Sequence, residues 1–176
     1  MAEAATLGGG RGGGALARAE IGRLVALLLP LGLLAGAFGS QYVGGLHPCD
    51  MCYWQRWPHG AAALLAALAF TAPAASKRSR ILTLLAALAI AISGAIGVYH
   101  AGVELKIFEG FSTCTSTARA ATTEDLLKQI MKVPLVRCDQ VQWAFLGISM
   151  AGWNAILSLG GAAAIFWLTL TGRRTR

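Results

Sequence analysis

Charge is what this 176-residue chain has least of: 13% of its residues are charged, against 56% that are hydrophobic. With a mean hydropathy of +0.59, the composition is not that of a water-soluble domain. Acidic residues number only eight, and none falls inside a long apolar run. That absence removes the usual mark of an ion or substrate path through a bilayer. Asn154 is the main polar residue within such a run, and it reads as a hydrogen-bonding link between helices. Cysteine is limited to four residues. They supply one C-x-x-C and no second, so the paired knuckles of a four-cysteine zinc site are missing and no metal is expected. No βαβ pattern surrounds the C-x-x-C, which excludes a thioredoxin-like domain.

Apolar runs are what the chain does have, several of them long enough to cross a bilayer, which takes roughly 20 helical residues. The expected fold class is an all-α membrane protein, a four-transmembrane-helix bundle. Its helices are expected at about 21–41, 58–75, 81–102 and 143–170, within a membrane domain spanning 21–171. Pro58 sets the start of the second, because proline suits a first helical position and breaks an interior. Glycines such as Gly32, Gly36, Gly94 and Gly97 permit close helix approach where no hydrophobic force acts between helices. Residues 1–20, rich in glycine and alanine, are expected to form a flexible cytoplasmic tail, and 172–176 a basic one. A signal peptide is the competing reading of the first run, since Ala35-Gly36-Ala37 has the small residues of a cleavage site.

The formal net charge of +7 has a topological explanation. Arg11, Arg18 and Arg23 precede the first apolar run, Lys77, Arg78 and Arg80 separate the second from the third, and Arg173, Arg174 and Arg176 follow the last. Only Glu3 and Glu20 oppose them, while basic and acidic residues balance on the other side. The whole excess lies on one face, as the positive-inside rule requires. Both termini are therefore expected in the cytoplasm of a multi-pass protein in a bacterial inner membrane. Membrane lipid, and not nucleic acid, accounts for the basicity.

All four cysteines then fall on the outer, periplasmic side, where disulfides persist. Cys49 and Cys52 lie in the first outer loop, in His47-Pro48-Cys49-Asp50-Met51-Cys52-Tyr53-Trp54-Gln55-Arg56-Trp57-Pro58. Cys114 and Cys138 lie in the second, about 103–141. That loop also carries apolar residues at 126, 127, 130 and 131, which predict a short amphipathic helix over 123–132. The helix either rests on the loop and lipid or docks a partner.

A C-x-x-C closes so short a loop that its entropic stabilisation is small, which favours a redox role over a structural one. Arg56 follows Cys52 by four residues, so one helical turn would bring a cation near that sulfur, the setting that makes a thiolate. Its bland alternative is a headgroup anchor. His100, at the outer end of the third helix, is a second polar group at that depth; the alternative is a histidine facing interfacial water. Two dithiols on the oxidising side, one at the membrane boundary, suggest an electron path. A lipid-soluble quinone is the acceptor available at that depth.

These features resemble the bacterial disulfide bond formation protein B (DsbB) family of quinone reductases. The resemblance rests on four helices, the C-x-x-C in the first outer loop, the arginine four residues on, and the cysteine pair in the second. Cys138-Asp139-Gln140-Val141-Gln142-Trp143-Ala144-Phe145-Leu146-Gly147 also looks like the family's approach to its last helix. The resemblance implies catalytic roles for Cys49, Cys52, Cys114 and Cys138, and quinone contacts for Arg56 and His100. It implies a periplasmic DsbA-like thiol oxidase as partner and ubiquinone or menaquinone as cofactor. The partner would attack the Cys114–Cys138 disulfide at Cys114, Cys138 would exchange with Cys49, and Cys52 would meet the quinone. Such a partner has a potential near about −120 mV, so an ordinary structural disulfide, below about −300 mV, could not re-oxidise it.

Two other readings have distinct signatures. A vitamin K epoxide reductase-like oxidase places its loop pair before the C-x-x-C, the reverse of the order here. A non-enzymatic membrane scaffold with structural disulfides predicts that Cys49→Ala or Cys52→Ala leaves periplasmic disulfide formation intact.

Overall fold

The computed structural model describes residues 9–110, 122–124 and 136–171. Four helices carry the fold: α1 (Gly9–Tyr42), α2 (Asp50–Ala69), α3 (Lys77–Glu104) and α4 (Met150–Thr171). A two-stranded hairpin, β1 (Ala144–Phe145) and β2 (Ile148–Ser149), precedes α4. The α1, α3 and α4 segments are long and apolar enough to cross a membrane. α3 packs on α2 and α4, and α1 closes the bundle against the same two. The core is made of small residues, with Ala26, Ala62, Ala66, Ala86, Ala87 and Ala162 around Ile90 and Ile165. A Cβ on Gly97 would meet the Ala151 carbonyl oxygen at 3.1 Å, so this glycine sets the approach of α3 to α4. Large apolar side chains such as Leu28, Leu64, Leu88, Ile156 and Trp167 point outward, as lipid-facing residues do.

Helix limits differ from expectation in ways that matter at the cysteine end of the bundle. α2 runs from Asp50 to Ala69, not from 58 to 75, and Pro58 lies inside it. Proline there removes the hydrogen bond to the Trp54 carbonyl and crowds that carbonyl, a cost that neighbouring helices and local adjustment absorb in membrane helices. The helix stops before Pro73, because the residue preceding a proline is pushed out of the helical region. α3 begins at Lys77 because Ser76 caps it, its hydroxyl accepting from the Ser79 N–H at 3.1 Å. α1 extends back to Gly9, inside the stretch read as a flexible tail. Each residue added to an existing helix gains a hydrogen bond, and Ala15, Ala17 and Ala19 favour that extension.

The last helix starts at Met150 instead of 143, displaced by the hairpin. Leu146 (φ 52°) and Gly147 (φ 76°) form its two-residue turn, both in the left-handed region that tight hairpin turns require. Ser149 then caps α4, its Oγ accepting from the Gly152 N–H at 3.1 Å. The amphipathic helix expected at 123–132 lies outside the described residues beyond its first two positions, which are helical.

Candidate active site

The first turn of α2 builds the centre of the site. Cys49 occupies the N-cap, in extended conformation, and Cys52 follows within that turn. The two sulfurs stand 3.0 Å apart and both cysteines are free thiols. Cys138, from the segment before the hairpin, packs against Cys49 with Met51, Val103 and Tyr99 around them. Cys49 and Cys138 are 4% and 2% exposed, so their sulfurs meet in a dry environment. Hydrogen bonds to Cys138 and then Cys52, with burial added, push the Cys49 thiol well above the usual range. At Cys52 the N–H groups of the first helical turn, which have no acceptor within the helix, would stabilise negative charge on the sulfur.

Asp139 holds the Cys138 segment in place. Its carboxylate accepts from Arg137 Nε at 2.9 Å and Nη2 at 2.8 Å, and from Lys106 Nζ at 2.6 Å. Lys106 also donates to the Asp139 carbonyl at 2.8 Å, which ties this loop to the end of α3. Arg137, then Lys106, depress the Asp139 carboxyl to about 2.

Arg56 lies one turn beyond Cys52 on the same helix. Its guanidinium donates to Gln41 Oε1 at 2.5 Å and to the Ala37 carbonyl at 3.2 Å, both on α1. It also sits over the rings of Phe38 and Tyr53, at 5.0 and 5.2 Å. Arg56 thus bridges α1 and α2 beside the sulfurs. His100, on α3, brings Nε2 to 3.6 Å from Cys49 Sγ. It is buried, not facing interfacial water.

These groups open onto one cavity of about 680 Å³, lined by Cys49, Cys52, Arg56, His100 and apolar residues of α1 including Leu33 and Ala37. That is within the roughly 300–1,000 Å³ of small-molecule sites. Apolar walls, a sulfur and a guanidinium donor suit a flat ring carrying polar oxygens. The residues present fit a quinone.

Of the residues singled out from sequence, the fold brings Cys49, Cys52, Cys138, Arg56 and His100 together. Cys114 lies outside the described residues. Sequence reasoning missed a buried polar chain that backs the site. Gln55 Nε2 donates to the Met51 carbonyl at 3.1 Å and to His100 Nδ1 at 2.8 Å. Asn154 Nδ2 donates to Gln55 Oε1 at 2.7 Å and to the Ser93 carbonyl at 3.2 Å. Asn154 Oδ1 accepts from His59 Nε2 and Ser158 Oγ, each at 2.9 Å. Glu104 is missed as well; Ser149 Oγ donates to it, and its other oxygen lies 3.9 Å from His100 Nε2. One signal was available: Gln55 and His59 follow Cys52 at the three- and seven-residue spacing of one helical face. The ligand atoms of Cys49, Cys52 and His100 also lie within 4.8 Å of one another, a donor trio that a soft metal could take.

Comparison with known proteins adds a family. Residues 20–168 match the family described as Disulfide bond formation protein DsbB. The chain is 27% identical over 157 residues to Disulfide bond formation protein B of Xanthomonas oryzae pv. oryzae, covering 87% of this chain and 90% of that one. It is 29% identical over 137 residues to the protein of the same name from Marinobacter nauticus, covering 73% and 79%. Uncharacterized protein RP370 of Rickettsia prowazekii is 23% identical over 145 residues, covering 81% and 83%. No solved structure matches significantly.

Proposed function

The chain belongs to the disulfide bond formation protein B family, and from that premise we propose that it is a membrane thiol:quinone oxidoreductase. It re-oxidises a periplasmic DsbA-like dithiol oxidase. It sits in the bacterial inner membrane with both termini cytoplasmic and both cysteine loops periplasmic, and α2 is the fourth crossing. The observation that carries this reading is the meeting of thiols from both outer loops, Cys49, Cys52 and Cys138, at the mouth of an apolar cavity beside Arg56.

The relay runs through sulfur exchange. A partner thiolate attacks Cys114 of the Cys114–Cys138 disulfide, and Cys138 leaves as thiolate. The partner's second thiol then displaces Cys114, so the partner ends as a disulfide. Cys138 attacks Cys49 of the Cys49–Cys52 disulfide, and Cys52 leaves as thiolate into the first turn of α2. Cys114 recovers Cys138, and Cys49 is released as a thiol. The net result is two electrons and two protons resting on Cys49 and Cys52. A bound quinone supplies a two-electron, two-proton sink. Toward it, Cys52 presents the sulfur, Arg56 offsets negative charge, and the apolar walls exclude water.

Purified protein with reduced partner and either ubiquinone or menaquinone should consume quinone in step with partner thiols. Cys52→Ser should abolish turnover, and full activity in that variant would defeat the mechanism. A soft-metal centre is the second reading, favoured by the Cys49, Cys52 and His100 trio. Stoichiometric metal in the purified protein, with activity lost on chelation, would select it.

A further inference from the structure

The polar chain behind the sulfurs fixes where the proton on His100 must sit. Two backbone carbonyls, which can only accept, anchor the deduction. The Ser93 carbonyl takes a hydrogen bond from Asn154, so the atom facing it is the amide nitrogen. That nitrogen also faces Gln55, so the Gln55 atom there is oxygen. Gln55 then turns its NH2 toward the Met51 carbonyl, the second anchor, and toward His100 Nδ1. Both anchors give Gln55 the same orientation. A nitrogen that accepts from Gln55 carries no proton in the neutral ring, so the proton is on Nε2. Nε2 faces Cys49 Sγ at 3.6 Å, within reach for sulfur, and the Glu104 oxygen at 3.9 Å, beyond it; the ring also hydrogen-bonds the Cys138 backbone, so the sulfur shares the ring with the backbone of the residue it exchanges with.

We propose that Gln55 and Asn154 are positioning residues that lock His100 as a permanent N–H donor to the sulfur of Cys49. The inference deepens the thiol relay proposed above and rests on it for its purpose. When Cys114 attacks Cys138 in the Cys49–Cys138 bond, a Cys114–Cys138 bond forms and Cys49 leaves with the electron pair. The His100 Nε2–H stabilises that departing thiolate, and no proton leaves the ring. Packing alone does not call for this arrangement, since an apolar residue at 55 would fill the same space.

Nitrogen-15 NMR of the full chain in detergent, above the pH range where imidazole protonates, reads the tautomer directly. The His100 signal is assigned by its loss in His100→Asn. In the unaltered protein, Nε2 is expected protonated and Nδ1 bare. The opposite tautomer, or an even mixture, overturns the proposal without reference to activity. Gln55→Glu, whose carboxylate only accepts, should move the proton to Nδ1, and Gln55→Met should give a mixture. In Gln55→Glu, single-turnover release of Cys49 from Cys138, measured without quinone, should slow about tenfold, as loss of one hydrogen bond to a charged group implies, and in Gln55→Met only about twofold, because part of the population keeps the donor. An unchanged tautomer in a folded Gln55→Met protein overturns the proposal. If the tautomer is as expected but no variant or native protein oxidises the partner, the thiol relay fails and the tautomer lock stands.

Discussion

Two buried polar clusters occupy opposite ends of the bundle, and their endings differ. At one end, Arg23 of α1 donates to the Ala69 carbonyl at 3.3 Å, the Ala72 carbonyl at 2.9 Å and Ser79 Oγ at 3.3 Å. It pairs with Glu20 and lies 4.6 Å from the centre of the Phe70 ring. These acceptors sit at the end of α2 and in the turn to α3, where carbonyls lack helical partners and attract a cation. The cluster ends on backbone carbonyls, Ser79 and Glu20, and Arg23 is not among the residues that line the cavity. At the cysteine end, the chain through Asn154, Gln55 and His100 terminates on Cys49. Both clusters bond most of their buried polar atoms and each leaves one without a partner, Arg23 Nε and His59 Nδ1, so burial alone does not distinguish a brace from a reactive centre. What lies at the last hydrogen bond does.

The largest effect that sharpens this contrast is on stability. Arg23→Ala removes a buried charged donor from several acceptors at once, and should cost about 2–3 kcal/mol. Unfolding in detergent should register that loss, while turnover per folded molecule stays at the native level. A turnover defect in the folded protein would erase the distinction between the two ends. Arg56→Ala should do the reverse. It removes the cation that faces the cavity, and quinone affinity should weaken about tenfold, the size of one charge-assisted hydrogen bond. Arg56→Lys should recover only part, because a point charge cannot reproduce the fork that spans Gln41 and Ala37. Equal affinity in all three proteins would return Arg56 to a structural tie between α1 and α2.

The same contrast explains what could be read from sequence. α1, α3 and α4 announce themselves as apolar runs, and the bilayer sets their length. The start of α2 does not, because Asp50, Gln55, Arg56 and His59 interrupt any apolar period and Pro58 imitates a first helical position. The hairpin at 144–149 was hidden because four strand residues leave no periodic signal, although the Leu146-Gly147 turn and the Ser149 cap were in plain view. Cysteines were legible because thiols have few uses. Gln55 and Glu104 were not, because an amide or carboxylate acquires meaning only from neighbours on other helices. Asn154 was read as a link between helices, and it does join α4 to α2 and α3. Its effect on His100 required the bundle to be assembled first.

The smallest expected effect concerns how Cys138 is held to the outer cluster. Arg23 keeps two backbone carbonyls that do not titrate beside its Glu20 partner, whereas the Cys138 segment is held through Asp139, which does titrate. Its carboxyl lies at about 2 against an ordinary 3.8, chiefly because of Arg137 and then Lys106. A carboxyl whose folded value is depressed contributes fully above its unfolded value and loses that contribution as pH falls through the folded one. Docking of the Cys138 segment should therefore be pH-independent above about 4 and weaken between about 4 and 2. The group is solvent-exposed, so the change should be modest. Hydrogen exchange of the backbone around residues 136–140 reads it, with protection falling across that window. Asp139→Asn should show the weaker protection at every pH and no step. A step that persists in Asp139→Asn would assign the titration to another group and overturn this account of how the Cys138 segment is held.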